Sequence, residues 1–342
     1  MREPAFWHRP SSFKSLLLRP LSAVYGAIAE HRLEGKGLDA GIPVICVGNY
    51  HVGGAGKTPT VLALAAILRD LGERPVVLSR GYGGRLGGPV MVDPARHTAI
   101  DIGDEPLMMA ARVPVAVARE RADGVALAKS QGASVILMDD GFQNPAIAKD
   151  IALIVIDSDR GLGNACVFPA GPLRAPLEPQ LARTDALVVI GRGHASDTVV
   201  AAIAAAGKPV LPAYLRPQPD IVAALQTKPV LAFAGIGDPG RFFRTLRASG
   251  ITVARERAFA DHHPFAPDEI AALVAEAERD GLTLVTTEKD LARLRVGAEL
   301  PLTARAIVAF PVTLQFDDTA TLQSLLTDGL FKARERQFRR NR

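Results

Sequence analysis

The feature that most constrains this fold is Gly53-Gly54-Ala55-Gly56-Lys57-Thr58, which lies between an apolar run and a helix-forming run. The run Pro43 to Val47 is typical of a buried strand, and Pro59 suits the first turn of a helix, where its missing N–H costs nothing. Together they place backbone N–H groups and a positive helix dipole end around one point. A lysine there reaches the β- and γ-phosphates of a nucleotide, and the threonine hydroxyl suits Mg²⁺. The sequence therefore predicts a nucleoside triphosphate site built from Gly53, Gly54, Ala55, Gly56, Lys57 and Thr58.

Two positions of this loop depart from known patterns. The pattern G-x-x-x-x-G-K-[ST] has a glycine five residues before Gly56, where this chain has His51. Another group of ATPases carries a lysine just before the paired glycines, and here Val52 stands there. A glycine-rich turn with a chance Gly-Lys-Thr is the alternative, but the order of strand, turn and helix favours the nucleotide loop.

Further apolar runs rich in β-branched residues follow along the chain: 75–79, 114–117, 134–138, 151–156 and 186–190. Helix-like segments separate most of them. Such strands predict a mostly parallel sheet covered on both faces, with ligands at the carboxyl ends of the strands. We expect an α/β fold with a P-loop NTPase-like domain and a second, smaller α/β domain.

The expected domain organisation follows from changes in composition. We expect an N-terminal helical region at 1–37, a P-loop domain at 38–215, a linker at 216–229 near a proline-rich stretch, a smaller domain at 230–330 and a basic tail at 331–342. At 342 residues the chain is long enough for two cores. A cleft between two α/β domains is a common place for a substrate.

Composition excludes several classes of protein. Hydrophobic residues make up 48% of the chain and charged residues 22%, so wholesale disorder is not expected. The two cysteines, Cys46 and Cys166, imply neither a disulfide framework nor a cysteine metal cluster, which fits a reducing cytosol.

Both ends of the chain are basic. Residues 332–342 hold six Lys and Arg against one Glu, and residues 1–37 hold six against three. Because the whole chain is only +4, the middle is mildly acidic. The basic ends suggest contact with an anionic surface, although a solvated tail is the simpler reading of the C-terminus.

Apolar residues near the N-terminus recur at helical spacing: Phe13, Leu16, Leu17, Leu21, Val24, Tyr25 and Ile28. Arg19 and Pro20 interrupt the apolar run, so we predict no transmembrane helix. A helix in a membrane interface, kinked or restarted near Pro20, and a helix packed on the domain's own core are both open at this point.

The run 135–138 ends in Asp139, Asp140 and Gly141, a strand end with paired carboxylates. A Mg²⁺–nucleotide site needs a carboxylate there, and a turn or helix cap is the alternative. Other polar groups are weak when read alone. Asp104 resembles a helix N-cap, His262 a structural histidine, and Arg80 and Arg174 either phosphate ligands or surface residues.

Seven motifs in this order resemble the tetraacyldisaccharide 4′-kinases. They are Val47-Gly-Asn with Val52 to Pro59, Leu78-Ser-Arg-Gly-Tyr-Gly, Gly103-Asp-Glu-Pro, Asp139-Asp-Gly-Phe-Gln, Pro169-Ala-Gly-Pro-Leu-Arg, Asp261-His, and Thr287-Glu-Lys-Asp. The resemblance runs from the N-terminal helix to about residue 310. It is specific because seven separate motifs agree in order.

The resemblance implies ATP- and Mg²⁺-dependent phosphorylation of the 4′-hydroxyl of tetraacyldisaccharide 1-phosphate, which gives lipid IVA. It also implies a peripheral protein on the cytoplasmic face of the bacterial inner membrane, with an N-terminal helix that assists membrane contact. The expected partners are the acylated glucosamine disaccharide lipid and the membrane surface, with no nucleic acid and no obligate protein partner.

The resemblance also suggests roles for residues. Lys57 would bind the ATP phosphates, and Thr58 with Asp139 or Asp140 would bind Mg²⁺. Asp104 would accept the hydroxyl proton with His262 as its partner across a closing cleft, and Arg80 and Arg174 would contact substrate.

Two positions depart from the family: Asn144 replaces a histidine, and Ala175 replaces a glutamate for which Glu178 is a candidate substitute. A regulatory P-loop ATPase and a soluble small-metabolite kinase are the rival functions. Val52 argues against the first, and membrane flotation would separate the second.

Overall fold

The computed structural model describes residues 3–9, 12–295 and 300–340. In chain order the strands are β1 (Val44–Gly48), β2 (Pro75–Ser79), β3 (Val90–Met91), β4 (Val115–Val117), β5 (Val135–Asp139), β6 (Ile151–Asp157), β7 (Ala186–Ile190), β8 (Val210–Pro217), β9 (Val230–Ala234), β10 (Val253–Ala258), β11 (Thr283–Thr287), β12 (Val308–Phe310) and β13 (Val312–Phe316). The α-helices are α1 (Phe13–Leu33), α2 (Lys57–Asp70), α3 (Ala99–Ile102), α4 (Asp104–Ala110), α5 (Arg121–Ser130), α6 (Leu177–Ala182), α7 (Asp197–Ala205), α8 (Pro219–Leu225), α9 (Pro239–Ala248), α10 (Pro267–Arg279), α11 (Glu288–Leu294) and α12 (Thr319–Arg340). Short 3₁₀ turns span Ala5–His8 and Leu302–Ala304.

The strands of the described residues form two sheets. Nine strands form the larger sheet, in the order β13-β8-β7-β6-β1-β5-β2-β4-β3, and four form the smaller one, in the order β10-β9-β11-β12. Only the edge strands β13 and β3 pair antiparallel with their neighbours in the larger sheet, and the smaller sheet is wholly parallel. The predicted α/β fold with a mostly parallel sheet is confirmed.

Both faces of the larger sheet are buried, as its unbroken apolar strands predict. Along β1, Ile45 and Val47 contribute to one apolar layer, while Val44 and Cys46 contribute to the other. This alternation follows from the two-residue period of a strand. Because β1 lies between β5 and β6, the loop after β1 opens at the centre of the carboxyl edge.

The expected linker at 216–229 is wrong, because most of these residues belong to a strand and a helix. Its first residues end β8, a strand of the larger sheet, and α8 then occupies 219–225. Leu225 is buried in the core of the smaller sheet. The prolines misled the prediction because β8 contains Pro212 and Pro217 and still pairs with β7 on one side and with β13 on the other.

The chain returns to the larger sheet after β12, so the expected boundary at 330 is also wrong. β13 pairs with β8, and Leu322, Leu326 and Leu330 of α12 are buried in a core layer of the larger sheet. A basic tail at 331–342 is wrong for residues 331–340, which continue α12 with Ala333 buried. Residues 341–342 lie outside the described residues.

Three ion pairs join the basic end of α12 to acidic residues in loops that precede strands of the larger sheet. Arg334 lies 2.7 Å from Glu73, Arg336 lies 2.7 Å from Asp150, and Arg340 contacts Asp39. The basic residues that suggested a solvated tail therefore meet the acidic middle of the chain.

Helix α1 is continuous through Pro20, so a restart of the helix there is wrong. Its small residues face the protein, where Ser15 and Ser22 each donate a 2.8 Å hydrogen bond, to the carbonyls of Ala170 and Val167. The seven apolar residues of the predicted stripe are exposed, so packing of that stripe on the core is also wrong. Among the described helices, none has the length and apolarity needed to cross a bilayer.

Candidate active site

The glycine loop has the predicted strand–turn–helix geometry. β1 ends at Gly48, and α2 begins at Lys57 directly after Gly56. Gly56 has a φ of 92°, a conformation that favours glycine, and a Cβ there would also lie 2.5 Å from Cδ1 of Ile190, which would have to move. The start of α2 thus points its free N–H groups and positive dipole end at the loop.

His51 stands where the common pattern has glycine, and the fold buries it. Its backbone bridges to Leu173, and its Nδ1 lies 2.9 Å from the carbonyl oxygen of Val52. Burial, with Lys57 and two nearby arginines, lowers the pKa of His51 to about 4. The ring is therefore neutral at neutral pH and adds no charge to the loop.

Asp139 and Asp140 end β5 beside this loop but differ in environment. Arg174 binds Asp140 in bidentate fashion at 2.7 and 3.2 Å, and Nζ of Lys57 lies 3.7 Å from the same carboxylate. Although partial burial opposes it, these two cations lower the pKa of Asp140 to about 2. Asp140 is thus already neutralised by protein groups.

Asp139 is buried, and its Oδ1 makes no hydrogen bond to any described residue. Burial, followed by the charges of Glu105 and Asp140, raises its pKa to about 7. Beneath it, the buried Arg121 donates to the carbonyls of Leu78 and Asp139, both at 3.2 Å. Arg121 was not predicted from the sequence, because it belongs to no motif and is simply the first residue of α5, two residues after Arg119.

Asp104 and His262 are 158 residues apart, and the structure brings them together. His262 Nδ1 lies 2.9 Å from Asp104 Oδ2. Asp104 is buried at the start of α4, while His262 lies in the loop after β10 with a φ of 57°. Its N–H donates to the carbonyl of Gly235 at 3.0 Å, which holds this left-handed conformation.

Two cations of α11 complete the surroundings of Asp104. Arg293 donates from Nε to Oδ2 at 2.6 Å, and Lys289 Nζ lies 4.0 Å from the same oxygen. Burial alone would raise the pKa of Asp104, but His262, Lys289 and Arg293 together lower it well below its usual range. Lys289 belongs to the Thr287-Glu-Lys-Asp motif, which assigned it no role. Arg293 lies outside that motif, three residues after Asp290 on the same face of α11.

The remaining candidates differ in their contacts. Arg80 is exposed and forms no hydrogen bond or ion pair with a described residue, whereas Arg174 also donates to the carbonyl of His51 at 3.1 Å. Glu178 is exposed on α6, and its side chain likewise contacts none of the described site residues. Ala175 is fully buried, and Gln180 binds its carbonyl at 2.8 Å.

The N-terminal turn also reaches the glycine loop, which the sequence analysis did not predict. Glu3 pairs with Arg160 and lies so close to Gly53 that a Cβ there would be 2.0 Å from its carboxylate. Trp7 is buried, and its indole N–H donates to the carbonyl of Pro169 at 3.1 Å.

The two sheets face each other across this site. Asp157 at the end of β6 pairs with Arg241 of α9, although 84 residues separate them. A Cβ at Gly237 would lie 3.9 Å from the nitrogen of Gly54, so the smaller sheet's first loop approaches the glycine loop. Loops at the carboxyl ends of both sheets therefore meet at the glycine loop, at Asp157 and at the Asp104–His262 contact.

Comparison with known proteins identifies relatives along nearly the whole chain. The family model described as LpxK: Tetraacyldisaccharide-1-P 4′-kinase matches residues 14–330. The tetraacyldisaccharide 4′-kinase of Bradyrhizobium sp. (strain BTAi1 / ATCC BAA-1182) is 70% identical over 337 residues, which is 98% of each chain. That of Bradyrhizobium diazoefficiens is 69% identical over 340 residues, 99% of this chain and 100% of its own.

A solved structure is similar as well. The crystal structure of LpxK from Aquifex aeolicus in complex with ATP is 28% identical and superposes with a TM-score of 0.70. The match covers 92% of this chain and 99% of that one. Sequence and fold therefore agree on one family.

Proposed function

Because the chain belongs to the tetraacyldisaccharide-1-P 4′-kinase family, we propose that it transfers the γ-phosphate of ATP to the 4′-hydroxyl of tetraacyldisaccharide 1-phosphate. The product is lipid IVA, an intermediate of lipid A biosynthesis. The observation that carries the proposal is the contact between Asp104 and His262, close to the point where Gly237 approaches both Asp261 and Gly54 of the glycine loop. A regulatory ATPase has no use for that pair, and the relatives' names favour neither rival function.

ATP binds at the glycine loop in this proposal. The loop N–H groups and Lys57 hold the phosphates, as in P-loop proteins generally. Lys57 is largely buried, and its contact with Asp140 orients the ammonium at the loop. The ATP-bound relative supports this assignment.

The residues present fit a magnesium ion. Asp139 Oδ1 is buried without a partner, Asp140 and Glu105 add negative charge, and the Thr58 hydroxyl makes no hydrogen bond among the described residues. No cage of three or more acidic, histidine or cysteine side chains exists in the described chain, and Mg²⁺ in kinases needs only one or two carboxylates beside the phosphates. Asp139 and Thr58 would hold the ion, which supplies charge neutralisation to the transferring phosphate, while Asp140 anchors Arg174 and Lys57.

Asp104 is the proposed proton acceptor. Its Oδ2 is occupied by Arg293 and His262, and among the described residues its Oδ1 accepts only the N–H of Glu105, at 2.8 Å. Oδ1 therefore keeps a lone pair for the 4′-hydroxyl. Because the pKa of Asp104 is lowered, its carboxylate is ionised at neutral pH and is a weak base. A weak base suits a loose transition state, in which the acceptor hydroxyl loses its proton only after its bond to phosphorus has begun to form.

The lipid substrate places the protein at a membrane surface. The exposed apolar face of α1 would lie in the membrane interface on the cytoplasmic side of the inner membrane, which makes the protein peripheral. Arg80 is exposed at the carboxyl end of β2 and is the proposed ligand of the substrate's anionic headgroup, with Arg174 behind Asp140 as a second cation.

Two bodies form the proposed domain organisation, one around each sheet. The larger includes β13 and α12 from the end of the chain, and the smaller spans α8 to β12. Binding and release then require movement at the connections after β8 and before β13.

Transfer of labelled γ-phosphate from Mg·ATP to tetraacyldisaccharide 1-phosphate in mixed micelles tests the function. General-base contributions of about 10²–10⁴-fold predict a loss of that size in kcat for Asp104→Asn. Lys57→Ala should lose more, because it removes charge from the transferring phosphate. Glu178→Gln, at an exposed position, is the matched control and should retain wild-type turnover.

ATP hydrolysis by folded wild-type protein without lipid product would contradict the proposal and favour a switch ATPase. Wild-type turnover in Asp104→Asn would remove only Asp104 from its role. Thermal melts of each variant separate loss of catalysis from loss of folding.

A further inference from the structure

The N-terminal turn holds a carboxylate against the glycine loop. A Cβ on Gly53 would lie 2.0 Å from Oε1 of Glu3. Since a carbon–carbon single bond is about 1.5 Å long, Oε1 lies within about 3.5 Å of the Gly53 Cα. The Glu3 side chain is only 15% exposed, so water screens its charge weakly. The chain thus places an anion of its own beside the loop that the proposed function gives to the phosphates of ATP.

Cations, and not the loop itself, hold this carboxylate. Its Oε2 accepts from Arg160, and Nε2 of His8 lies 2.9 Å from the same oxygen. Oε1, the oxygen next to Gly53, makes no hydrogen bond to any described residue. The N–H groups of residues 53–56 likewise donate to no acceptor in the described part of the chain. Glu3 therefore brings negative charge to the loop without satisfying the groups that would bind a phosphate.

Arg160, the partner of Glu3, also lies near the loop. It follows β6, which pairs with β1, so its loop and the glycine loop leave neighbouring strands at one edge of the sheet. Its charge is one of those that lower the pKa of His51. The Arg160 side chain is mostly buried, and its Nη1 has no partner among the described residues. Arg160 thus keeps a free donor beside the loop, while Glu3 neutralises its charge.

The position of Glu3 in the chain lets its side chain leave this place. Glu3 belongs to no helix or strand and precedes the short 3₁₀ turn at Ala5–His8. The turn is anchored by Trp7, which is buried and packs edge-on against Phe168, with ring centroids 6.0 Å apart. Glu3 lies four residues before that anchor, so its carboxylate can turn away from the loop while Trp7 stays in place.

We propose that Glu3 sets the affinity of the nucleotide site: its carboxylate opposes ATP by charge and masks Arg160, which contacts the phosphates once Glu3 turns away. The proposal rests on the ATP site of the proposed function and adds two residues to it. The sign of the effect separates this role from a bracing role, in which Glu3 would hold the loop in shape. Removal of a competing charge strengthens nucleotide binding, whereas removal of a brace weakens it.

Isothermal titration calorimetry of the full-length protein with Mg·ATP, in the absence of lipid, measures this sign. Glu3→Gln should lower the Kd for ATP about 3- to 30-fold, because one negative charge near the phosphates is removed. Glu3→Asp keeps the charge and should bind ATP less tightly than Glu3→Gln. Glu34→Gln removes the same charge at an exposed position beyond the end of α1 and should bind like the wild type. An unchanged or higher Kd in Glu3→Gln would overturn the proposal.

A double-mutant comparison tests the part of Arg160. Arg160→Gln should raise the Kd for ATP, because it removes a cation and leaves the Glu3 charge unneutralised beside the loop. Glu3→Gln combined with Arg160→Gln should bind ATP less tightly than Glu3→Gln alone. Equal affinity of those two proteins would overturn the role of Arg160. Thermal melts check folding, and if Arg160→Gln does not fold, Arg160→Lys carries the same test with a smaller loss of affinity.

Kinetics keep this proposal distinct from the kinase function. Glu3→Gln should also lower the KM for ATP and leave the KM for the lipid unchanged, since the lipid does not meet this charge. A lower Kd for ATP in Glu3→Gln, with no lipid phosphorylation by the wild type, would refute the proposed acceptor and leave the role of Glu3 intact. If neither wild type nor Glu3→Gln binds ATP, the nucleotide site and this proposal fail together.

Discussion

His51 illustrates how one buried residue changes the meaning of a motif. The common loop has glycine at this position, and the chain replaces it with a histidine whose backbone bridges to Leu173 and whose Nδ1 lies 2.9 Å from the carbonyl oxygen of Val52. The structure accepts the histidine only in its neutral form, because Nε2 is buried without a partner among the described residues. The departure that weakened the motif in the sequence is thus a packing feature next to the loop.

The neutral state of His51 predicts a pH dependence of stability. Folding lowers the pKa of His51 from 6.5 to about 4, so the unfolded chain binds a proton that the folded protein excludes. The cost is absent above pH 6.5, grows as the pH falls, and levels near pH 4 at about 3 kcal/mol. Urea unfolding from pH 8 to pH 4 should show this extra loss in the wild type and not in His51→Gln. Parallel curves for the two proteins would contradict it.

At the scale of elements, α12 shows that a basic end is not necessarily a tail. Its basic half is held by ion pairs, while its apolar half fills a core layer of the larger sheet. Surface ion pairs each contribute little, so the buried leucines hold the helix.

Substitutions within α12 test that assignment. Leu326 is fully buried, so Leu326→Ala should lower the free energy of unfolding by about 2–5 kcal/mol. Phe331 on the same helix is 69% exposed, and Phe331→Ala should change it by less than about 0.5 kcal/mol. Denaturant unfolding measures both, and equal effects would mean that α12 is not part of the core.

Helix α1 presents the opposite arrangement, since Ser15, Ser22 and Gly26 are buried while the seven residues of its apolar stripe are exposed. Leu17 is 68% exposed, so Leu17→Glu should leave the melting temperature unchanged. It should weaken binding to anionic vesicles, measured by flotation, by about 10- to 100-fold, because an inserted leucine contributes roughly 1.5–3 kcal/mol. Leu302→Glu, at another exposed leucine, is the control and should float like the wild type. Equal flotation of both variants would disprove membrane contact through α1.

At the scale of the whole molecule, the site exists only where the two sheets meet. Asp104 belongs to one body and His262 to the other, and the pair between Asp157 and Arg241 holds the bodies at a second point. Asp157 is buried, so loss of its cation would leave an unpaired charge that hydration can relieve only by opening the cleft.

Arg241→Gln should therefore open the molecule. We expect a larger radius of gyration by small-angle X-ray scattering and a lower kcat, because Asp104 and His262 separate. Arg247→Gln breaks an exposed pair with Glu256 within the smaller body and should change neither quantity. An unchanged radius and kcat in Arg241→Gln would show that this pair does not hold the bodies together.

Local sequence patterns predict a large part of this fold. The glycine loop, the parallel strands and the acidic end of β5 are written in short segments, because a strand, a tight turn and a helix start each depend on a few neighbouring residues. The resemblance supplied Asp104 and His262, which no local pattern distinguishes from a helix cap and a structural histidine.

Only the tertiary structure decided which residues meet. It placed Lys289 and Arg293 around Asp104, gave Asp139 and Asp140 different environments, and returned β13 and α12 to the larger sheet. Burial and charge pairing arise between segments far apart in the chain, so composition and periodicity carry no record of them. The sequence alone thus determined the glycine loop and the strands around it, and the packing of the two sheets determined the charges that surround the proposed catalytic groups.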